Sequence, residues 1–116
     1  QQSLSADHIY LGTSYTAIGI LHRSMGQYPE SLLHFHKALE IYEIQFSSNH
    51  VYVSGSYIHL AWTSIFAGDF MGAKEYCEKA LEIIKMIASK DQTLEATVYF
   101  LFGIINGRTD ERHRSL

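Results

Sequence analysis

The chain has 116 residues, of which 47% are hydrophobic and one is proline, so it is long enough for one domain and apolar enough to bury a core. Nine basic against twelve acidic side chains leave a formal net charge of -3, which argues against the basic stripe that nucleic-acid-binding proteins carry. The single cysteine, Cys77, rules out an intrachain disulfide and a cysteine-based zinc site, and the longest apolar run, residues 98–105, is too short to span a bilayer. The composition therefore predicts a soluble protein of a reducing compartment, the cytoplasm.

The sequence repeats itself at an offset of 42 residues. When residues 5–46 are placed over residues 47–88 without a gap, 11 of the 42 positions are identical. Random pairing at this composition gives about three identities. The longest identical block is Lys-Ala-Leu-Glu-Ile, at residues 37–41 and 79–83. The chain is therefore predicted to contain at least two copies of one structural unit.

A third, incomplete unit follows at the same offset. Tyr99 aligns with Tyr57, and residues 89–107 carry the apolar pattern of a first helix. Residues 108–116 are polar and have no apolar periodicity, so they are predicted to form a disordered tail rather than a second helix. The chain is therefore predicted to contain two and a half units.

Each unit begins with a polar residue at an N-cap position and divides at a glycine. Asp7, Asn49 and Asp91 precede the apolar-periodic stretches, where their side chains could accept hydrogen bonds from the free N–H groups of a first turn. Gly26 and Gly68 lie where the first helix must stop, because glycine adopts the left-handed conformation at low cost. These signals predict matching helix ends in both units.

The second helices begin just after these glycines. Pro29 suits a first helical turn, where its missing N–H costs nothing, and Asp69 is the predicted cap of the corresponding helix in the second unit. Together with the apolar periodicity, these signals predict an all-α chain of five helices. The predicted helices cover residues 8–25, 29–46, 50–67, 70–88 and 92–107.

The ordered features of each unit resemble a tetratricopeptide repeat. An aromatic residue is followed by a large apolar residue and a small one, a glycine turn, a second small residue, an aromatic position and Lys-Ala-Leu-Glu-Ile. In the first unit these features are Tyr15, Ile18, Gly19, Gly26, Gln27, Tyr28, Ser31, Phe35 and residues 37–41. The later units supply Tyr57, Leu60, Ala61, Gly68, Asp69, Phe70, Ala73, Cys77 and residues 79–83, then Tyr99, Phe102 and Gly103.

The period of 42 residues resembles the long, kinesin-light-chain-like subtype of this family. The resemblance implies that antiparallel helix pairs stack into a right-handed α-solenoid, since one pair cannot bury its apolar face alone. It also implies that the first helices line a concave groove that usually holds an extended or helical peptide.

Transferred onto this chain, the groove face becomes a stripe on each first helix. The stripe of the first unit is Thr13, Thr16, Ile20, Arg23 and Ser24, that of the second is Gly55, Ile58, Trp62, Ile65 and Phe66, and that of the partial unit is Thr97, Phe100, Ile104, Gly107 and Arg108. The predicted partner-binding residues are Ile20, Arg23, Ile58, Trp62, Ile65, Phe66, Phe100, Ile104 and Arg108.

The predicted groove is centred on Trp62, with Arg23 and Arg108 as its polar rim. If its apolar residues were all exposed, they would form a patch that isolated soluble proteins rarely show, so a partner should cover it. The alternative is that several of them are ordinary inter-helix core.

The ligand-binding residues of two better-known groups in this family do not match. Co-chaperone members hold a carboxylate with lysine, asparagine and arginine, and those positions are occupied here by Thr16, Ile20, His59, Thr97 and Leu101. The asparagine ladder of kinesin light chains is replaced by Thr16, Ala17, Ile58, His59, Phe100 and Leu101. The resemblance therefore implies the scaffold and leaves the ligand open.

The residues offer no constellation for catalysis or for metal or cofactor binding. His34 and His36 lie two apart on one predicted helix, so their side chains point to different faces. Cys77 is interpreted as a buried structural thiol, because nothing in the sequence would lower its pKa. The sequence also lacks a Gly-x-Ser-x-Gly motif and a phosphate-binding loop. We therefore expect neither an enzyme nor a bound metal or cofactor.

The predicted function is that of a protein–protein interaction scaffold, which presents its groove to a peptide or helix of a partner or to a second copy of itself. Self-association through the third-unit helix, by stacking or by exchange of that helix, is a further expectation because residues 92–107 are apolar on every side. The alternative is a structural spacer or capping segment of a larger array, with no ligand of its own. Neither nucleic acid nor membrane is an expected partner.

Overall fold

The computed structural model describes residues 2–46, 50–87 and 92–115, and these residues form five α-helices. The helices are α1 (Gln2–Ser24), α2 (Tyr28–Gln45), α3 (Val51–Ala67), α4 (Phe70–Met86) and α5 (Thr93–Ser115). Consecutive helices pack against each other, and α5 also contacts α3, so the molecule is an elongated stack of 57 × 33 × 17 Å. The predicted all-α solenoid of helix pairs is confirmed.

Both glycine turns are formed as the sequence predicted. Gly26 has a φ of +76° and Gly68 a φ of +85°, in the left-handed region that other residues adopt at a cost. Pro29 lies in the first turn of α2, and the Asp69 carboxylate accepts a hydrogen bond of 3.0 Å from the backbone N–H of Gly72. These contacts explain why α1 and α3 stop where they do and why α4 begins at Phe70.

The predicted caps of the first helices differ from the structure. Asp7 lies inside α1, so its assignment as an N-cap is wrong, and no proline or glycine precedes it to stop the helix from starting earlier. The N-cap of α3 is His50, whose Nδ1 accepts a hydrogen bond of 3.2 Å from the N–H of Tyr52. The other two predicted caps, Asn49 and Asp91, lie outside the described residues.

Helix α5 does not end at residue 107 but continues to Ser115, through residues predicted to form a disordered tail. Its sequence explains the difference. The offset of 42 that relates Gly26 to Gly68 leads next to Asp110, so the glycine that ends α1 and α3 is missing from this unit. The charged residues that follow are compatible with a helix, and nothing in them breaks it.

Two apolar clusters hold the stack together. The first lies between α2, α3 and α4 and contains Phe35, Ala38, Leu39, Tyr42, Val53, Leu60 and Ile83. The second joins α3, α4 and α5 through Ile58, Ala61, Ile65, Ala73, Cys77, Ala80, Ile84, Val98, Leu101 and Ile105. Full burial of a side chain such as Phe35 contributes roughly 2–3 kcal/mol to the stability of the fold.

Cys77 is fully buried in the second cluster. Burial raises the pKa of its thiol to about 11, and the nearby Glu78 carboxylate raises it further. A thiol with this pKa carries almost no thiolate at neutral pH, which makes it a poor nucleophile. Cys77 is therefore a packing residue, as the sequence indicated.

Candidate protein-binding groove

Four aromatic rings follow one another along the open side of the stack. The ring of Tyr28, at the start of α2, stacks on that of Phe66 at the end of α3, with 6.2 Å between centroids and 12° between planes. Phe66 stacks in turn on Trp62 at 5.7 Å and 17°, and Trp62 meets Phe100 of α5 at 6.2 Å and 54°. We call these four residues the aromatic row; it runs across both repeats into the partial unit.

Helix geometry and the repeat produce this row. Trp62 and Phe66 are four residues apart on α3, so their side chains lie one above the other on one face. Phe100 lies on α5, which packs beside α3. Aromatic pairs at these separations attract each other beyond the area that they bury, by about 0.5–1.5 kcal/mol per pair.

The outer rings of the row remain accessible to solvent. Phe66 is 53% exposed and Phe100 is 61% exposed, whereas Trp62 is half-buried and packs on one side against the cluster that joins α3, α4 and α5. The indole therefore links the core to the open face. It is not enclosed between the two helices of its own unit.

An open cleft of about 240 Å³ lies at the Tyr28 end of the row. Its lining residues come from α1, α2 and α3 and are Ile20, Arg23, Ser24, Tyr28 and Phe66. Since Ile20 and Phe66 are both partly exposed, the cleft can accept one apolar side chain beside a positive charge.

Arg23 is held beneath this cleft by two other residues. Its guanidinium lies 5.4 Å from the ring centroid of Phe35, and its Nη1 donates to Nδ1 of His59 at 3.4 Å. The His59 ring stacks on Phe35 with 4.9 Å between centroids. Arg23 is thereby fixed in one orientation, with part of its charge still available to the cleft.

The electrostatics of this pair follow from burial. Burial, followed by the charge of Arg23, lowers the pKa of His59 to about 4, so the imidazole is neutral at physiological pH. Burial also lowers the pKa of Arg23 from its ordinary value, although the group stays protonated. A neutral His59 can accept the hydrogen bond of Arg23, which a protonated ring could not.

The structure separates the predicted groove residues into two sets. Ile58 and Ile65 are each 8% exposed and belong to the cluster between α3, α4 and α5, so for them the alternative interpretation as inter-helix core is correct. They lie on the side of α3 that faces these helices, which leaves no surface for a partner. The residues that keep accessible side-chain atoms on the open face are Ile20, Arg23, Trp62, Phe66, Phe100, Ile104 and Arg108.

Two residues of the site were not among those predicted. Tyr28 supplies the first ring of the aromatic row, and the sequence assigned it only to the turn that follows Gly26. His59 positions Arg23, although the sequence marked it only as a mismatch to another ligand set. The aromatic residue at each turn, Tyr28 or Phe70, was a signal that could have identified the first of these.

Neither a membrane span nor a metal centre is found in the described part of the chain. None of the helices within residues 2–46, 50–87 and 92–115 combines the length and apolarity that crossing a bilayer requires. In the same ranges, no three His, Cys, Asp or Glu side chains lie together as metal ligands.

Stacked antiparallel helix pairs, repeated at a fixed period around an open face, define an α-solenoid repeat protein. Family models of the tetratricopeptide repeat match residues 11–52 and residues 54–85. The chain belongs to the tetratricopeptide repeat family, whose members are generally protein–protein interaction modules on a non-enzymatic scaffold. No significant match to a curated protein or to a solved structure was found.

Proposed function

We propose that the protein binds an apolar peptide or helix of a partner protein along the aromatic row. The observation that carries this proposal is the accessibility of Phe66 and Phe100, which are more than half exposed although both contact Trp62. Large aromatic side chains grouped on an open face are typical of recognition sites, because covering them releases much water-exposed apolar surface. Trp62 is the central anchor of this surface.

The two ends of the groove provide its polar contacts. Arg23 is positioned beside the cleft at the Tyr28 end, and Arg108 is exposed on α5. A bound segment would place its apolar side chains on the rings and its polar groups near these two guanidinium groups. This arrangement of an apolar centre and a polar rim is common at protein interfaces.

Selection of a displayed peptide library on the wild-type protein tests the proposal. The Trp62→Ala variant should bind selected peptides more weakly by ~2 kcal/mol or more, and Phe66→Ala should weaken them as well. Met71→Ala is the control, because Met71 is an exposed apolar residue of α4 outside the groove. If Trp62→Ala and Phe66→Ala bind as tightly as the control and only the melting temperature falls, the row is part of the core and the proposal is wrong.

A structural role within a larger array is the second candidate, and the outward face of α1 favours it. Leu11, Ile18 and Leu21 are exposed on α1, whereas their equivalents in the second unit, including Val53 and Leu60, are fully buried. A neighbouring helix pair would cover this face in the same way. A fragment with only this role should fail to enrich any peptide and should aggregate without a defined stoichiometry.

Self-association is a second way to occupy the same apolar surfaces. A second copy could cover the exposed rings of α5, by stacking or by exchange of that helix. Light scattering at micromolar concentration checks this, and a mass equal to one chain would exclude it. Membership of the kinesin-light-chain-like subtype, a cytoplasmic location, and the absence of catalysis, nucleic-acid binding and membrane association complete the proposal.

A further inference from the structure

The first helix of each unit presents the same three-residue face to its second helix. This face has a small residue, a tyrosine three positions later and another small residue after four more. Its members are Gly12, Tyr15 and Gly19 on α1, Ser54, Tyr57 and Ala61 on α3, and Ala96, Tyr99 and Gly103 on α5. Helices α2 and α4 cover the first two faces, whereas the third face is exposed.

The covered face of α1 shows what such a face accepts. A Cβ atom built on Gly19 would lie 2.7 Å from Cε1 of Phe35, so the phenylalanine ring occupies the space that a side chain would take. Ser31, one turn earlier on α2, donates a buried hydrogen bond of 2.7 Å from its hydroxyl to the carbonyl oxygen of Gly19. The second helix therefore fits here through a small residue followed, four positions later, by a large ring.

The tyrosine at the middle of the face receives a cation from the second helix. Nζ of Lys37 lies 5.5 Å from the ring centroid of Tyr15, and Nζ of Lys79 lies 5.8 Å from that of Tyr57. These lysines occupy equivalent positions of α2 and α4. A cation over an aromatic ring is a favourable contact, so the repeated lysine is part of the recognition between the two helices.

The size of the buried residues changes in step across the two interfaces. In the first pair glycine contacts a phenylalanine, and in the second the equivalent residues, Ala61 and Cys77, are both fully buried in one cluster. The smaller residue on one helix thus goes with the larger one on the other. Gly103 on α5 matches Gly19 in this respect, and it therefore fits a phenylalanine better than a cysteine.

The face of α5 has no helix over it in the described part of the chain. A Cβ built on Gly103 meets nothing within 4 Å, and Tyr99 is 50% exposed. Helix α5 also passes Asp110 without the turn that brings α2 and α4 back over their partners. A helix that covers Gly103 must therefore come from outside residues 93–115.

We propose that the face formed by Ala96, Tyr99 and Gly103 is a docking site for an amphipathic helix of a partner protein that carries the pattern of α2. This pattern is a small residue, a phenylalanine four positions later, a lysine two positions after that, and then an alanine. The phenylalanine fills the notch at Gly103 and the lysine lies over Tyr99. The site is separate from the groove of the aromatic row and does not depend on it.

A synthetic peptide of residues 28–45 provides the probe, since it contains the pattern as Ser31, Phe35, Lys37 and Ala38. Its fluorescein-labelled form is titrated with the protein and followed by fluorescence anisotropy. The test variant is Gly103→Gln, which fills the notch and leaves the fold intact because the added side chain enters open space on a helix. The control is Gly55→Gln, at another helical glycine whose Cβ would meet nothing within 4 Å.

The proposal expects saturable binding that Gly103→Gln weakens about tenfold or more and that Gly55→Gln leaves unchanged. On the peptide, Phe35→Ala should cause a similar loss, whereas Leu33→Ala, at a residue exposed on α2, should not. Circular dichroism melts should show both protein variants to be at least as stable as the wild type.

Four results would overturn the assignment. The peptide could fail to bind saturably, or Leu33→Ala could weaken it as much as Phe35→Ala. Binding could be lost in Gly55→Gln and kept in Gly103→Gln, which would move the peptide into the concave groove and support the proposed function alone. Finally, a wild-type dimer that Gly103→Gln converts to a monomer would place a second copy on the face instead of a separate helix.

Discussion

Replacing His59 with asparagine removes one buried titrating ring while keeping an acceptor near Nδ1 for Arg23. The ring stacks on Phe35 and accepts from the guanidinium of Arg23, so a proton on it would break that hydrogen bond and place two positive charges together. The folded protein therefore keeps His59 neutral at a pH at which the unfolded chain would protonate it. Its replacement should make the stability of the fold less sensitive to acid.

The magnitude follows from the two pKa values. Burial and Arg23 lower the pKa of His59 from 6.5 to about 4. Because the unfolded chain binds the proton first, the free energy of unfolding is unaffected above about pH 6.5 and falls as the pH drops from there towards about 4. The full loss attributable to His59 is ~3 kcal/mol, of which ~2 kcal/mol appears between about pH 7.5 and about pH 5.

Urea titrations at these two pH values, followed by circular dichroism, measure the effect. The wild type should lose ~2 kcal/mol more stability on acidification than His59→Asn, whatever the variant costs at neutral pH. Subtracting the two losses removes the contribution of the other titrating groups. Equal losses in both proteins would refute the argument that burial keeps this ring neutral.

Further predictions concern the close contacts and caps of the helices. Gly19→Ala should destabilise the fold by ~1–3 kcal/mol because its Cβ would collide with Phe35, whereas Gly55→Ala, in open space, should stabilise it by up to ~1 kcal/mol. Urea midpoints that shift alike in both would contradict the packing of Phe35 on Gly19. Asp69→Ala should cost ~1 kcal/mol in a thermal melt, since the N–H of Gly72 loses its acceptor; no loss would mean that this cap is unimportant.

The number of helices and most of their ends could be predicted from the sequence, because these depend on local interactions. Glycine at residues 26 and 68 and a carboxylate at Asp69 act within one turn of their own position. Two ends were missed for reasons that are also local. Asp7 can cap a helix but does not force one to start there, and the absence of a glycine at Asp110 was a readable signal that α5 continues.

The composition of the groove could be predicted only in part. Ile58, Trp62, Ile65 and Phe66 all lie on α3 at spacings of three or four, which the sequence assigned to one exposed stripe. Helices α4 and α5 cover the two isoleucines and leave the aromatic residues at the edge. A helix face is wide enough that a rotation of a few tens of degrees decides which of these neighbours is buried.

By itself, the sequence determined the repeat of 42 residues, the pairing of helices at glycine turns and the apolar faces that must be covered, because each rests on hydrogen bonding and periodicity within a short segment. The tertiary structure alone decided which rings meet in the aromatic row, that His59 holds Arg23, and that the face around Gly103 stays open. These features depend on where one helix crosses another, and that angle is set by the interlocking of side chains far apart in the chain.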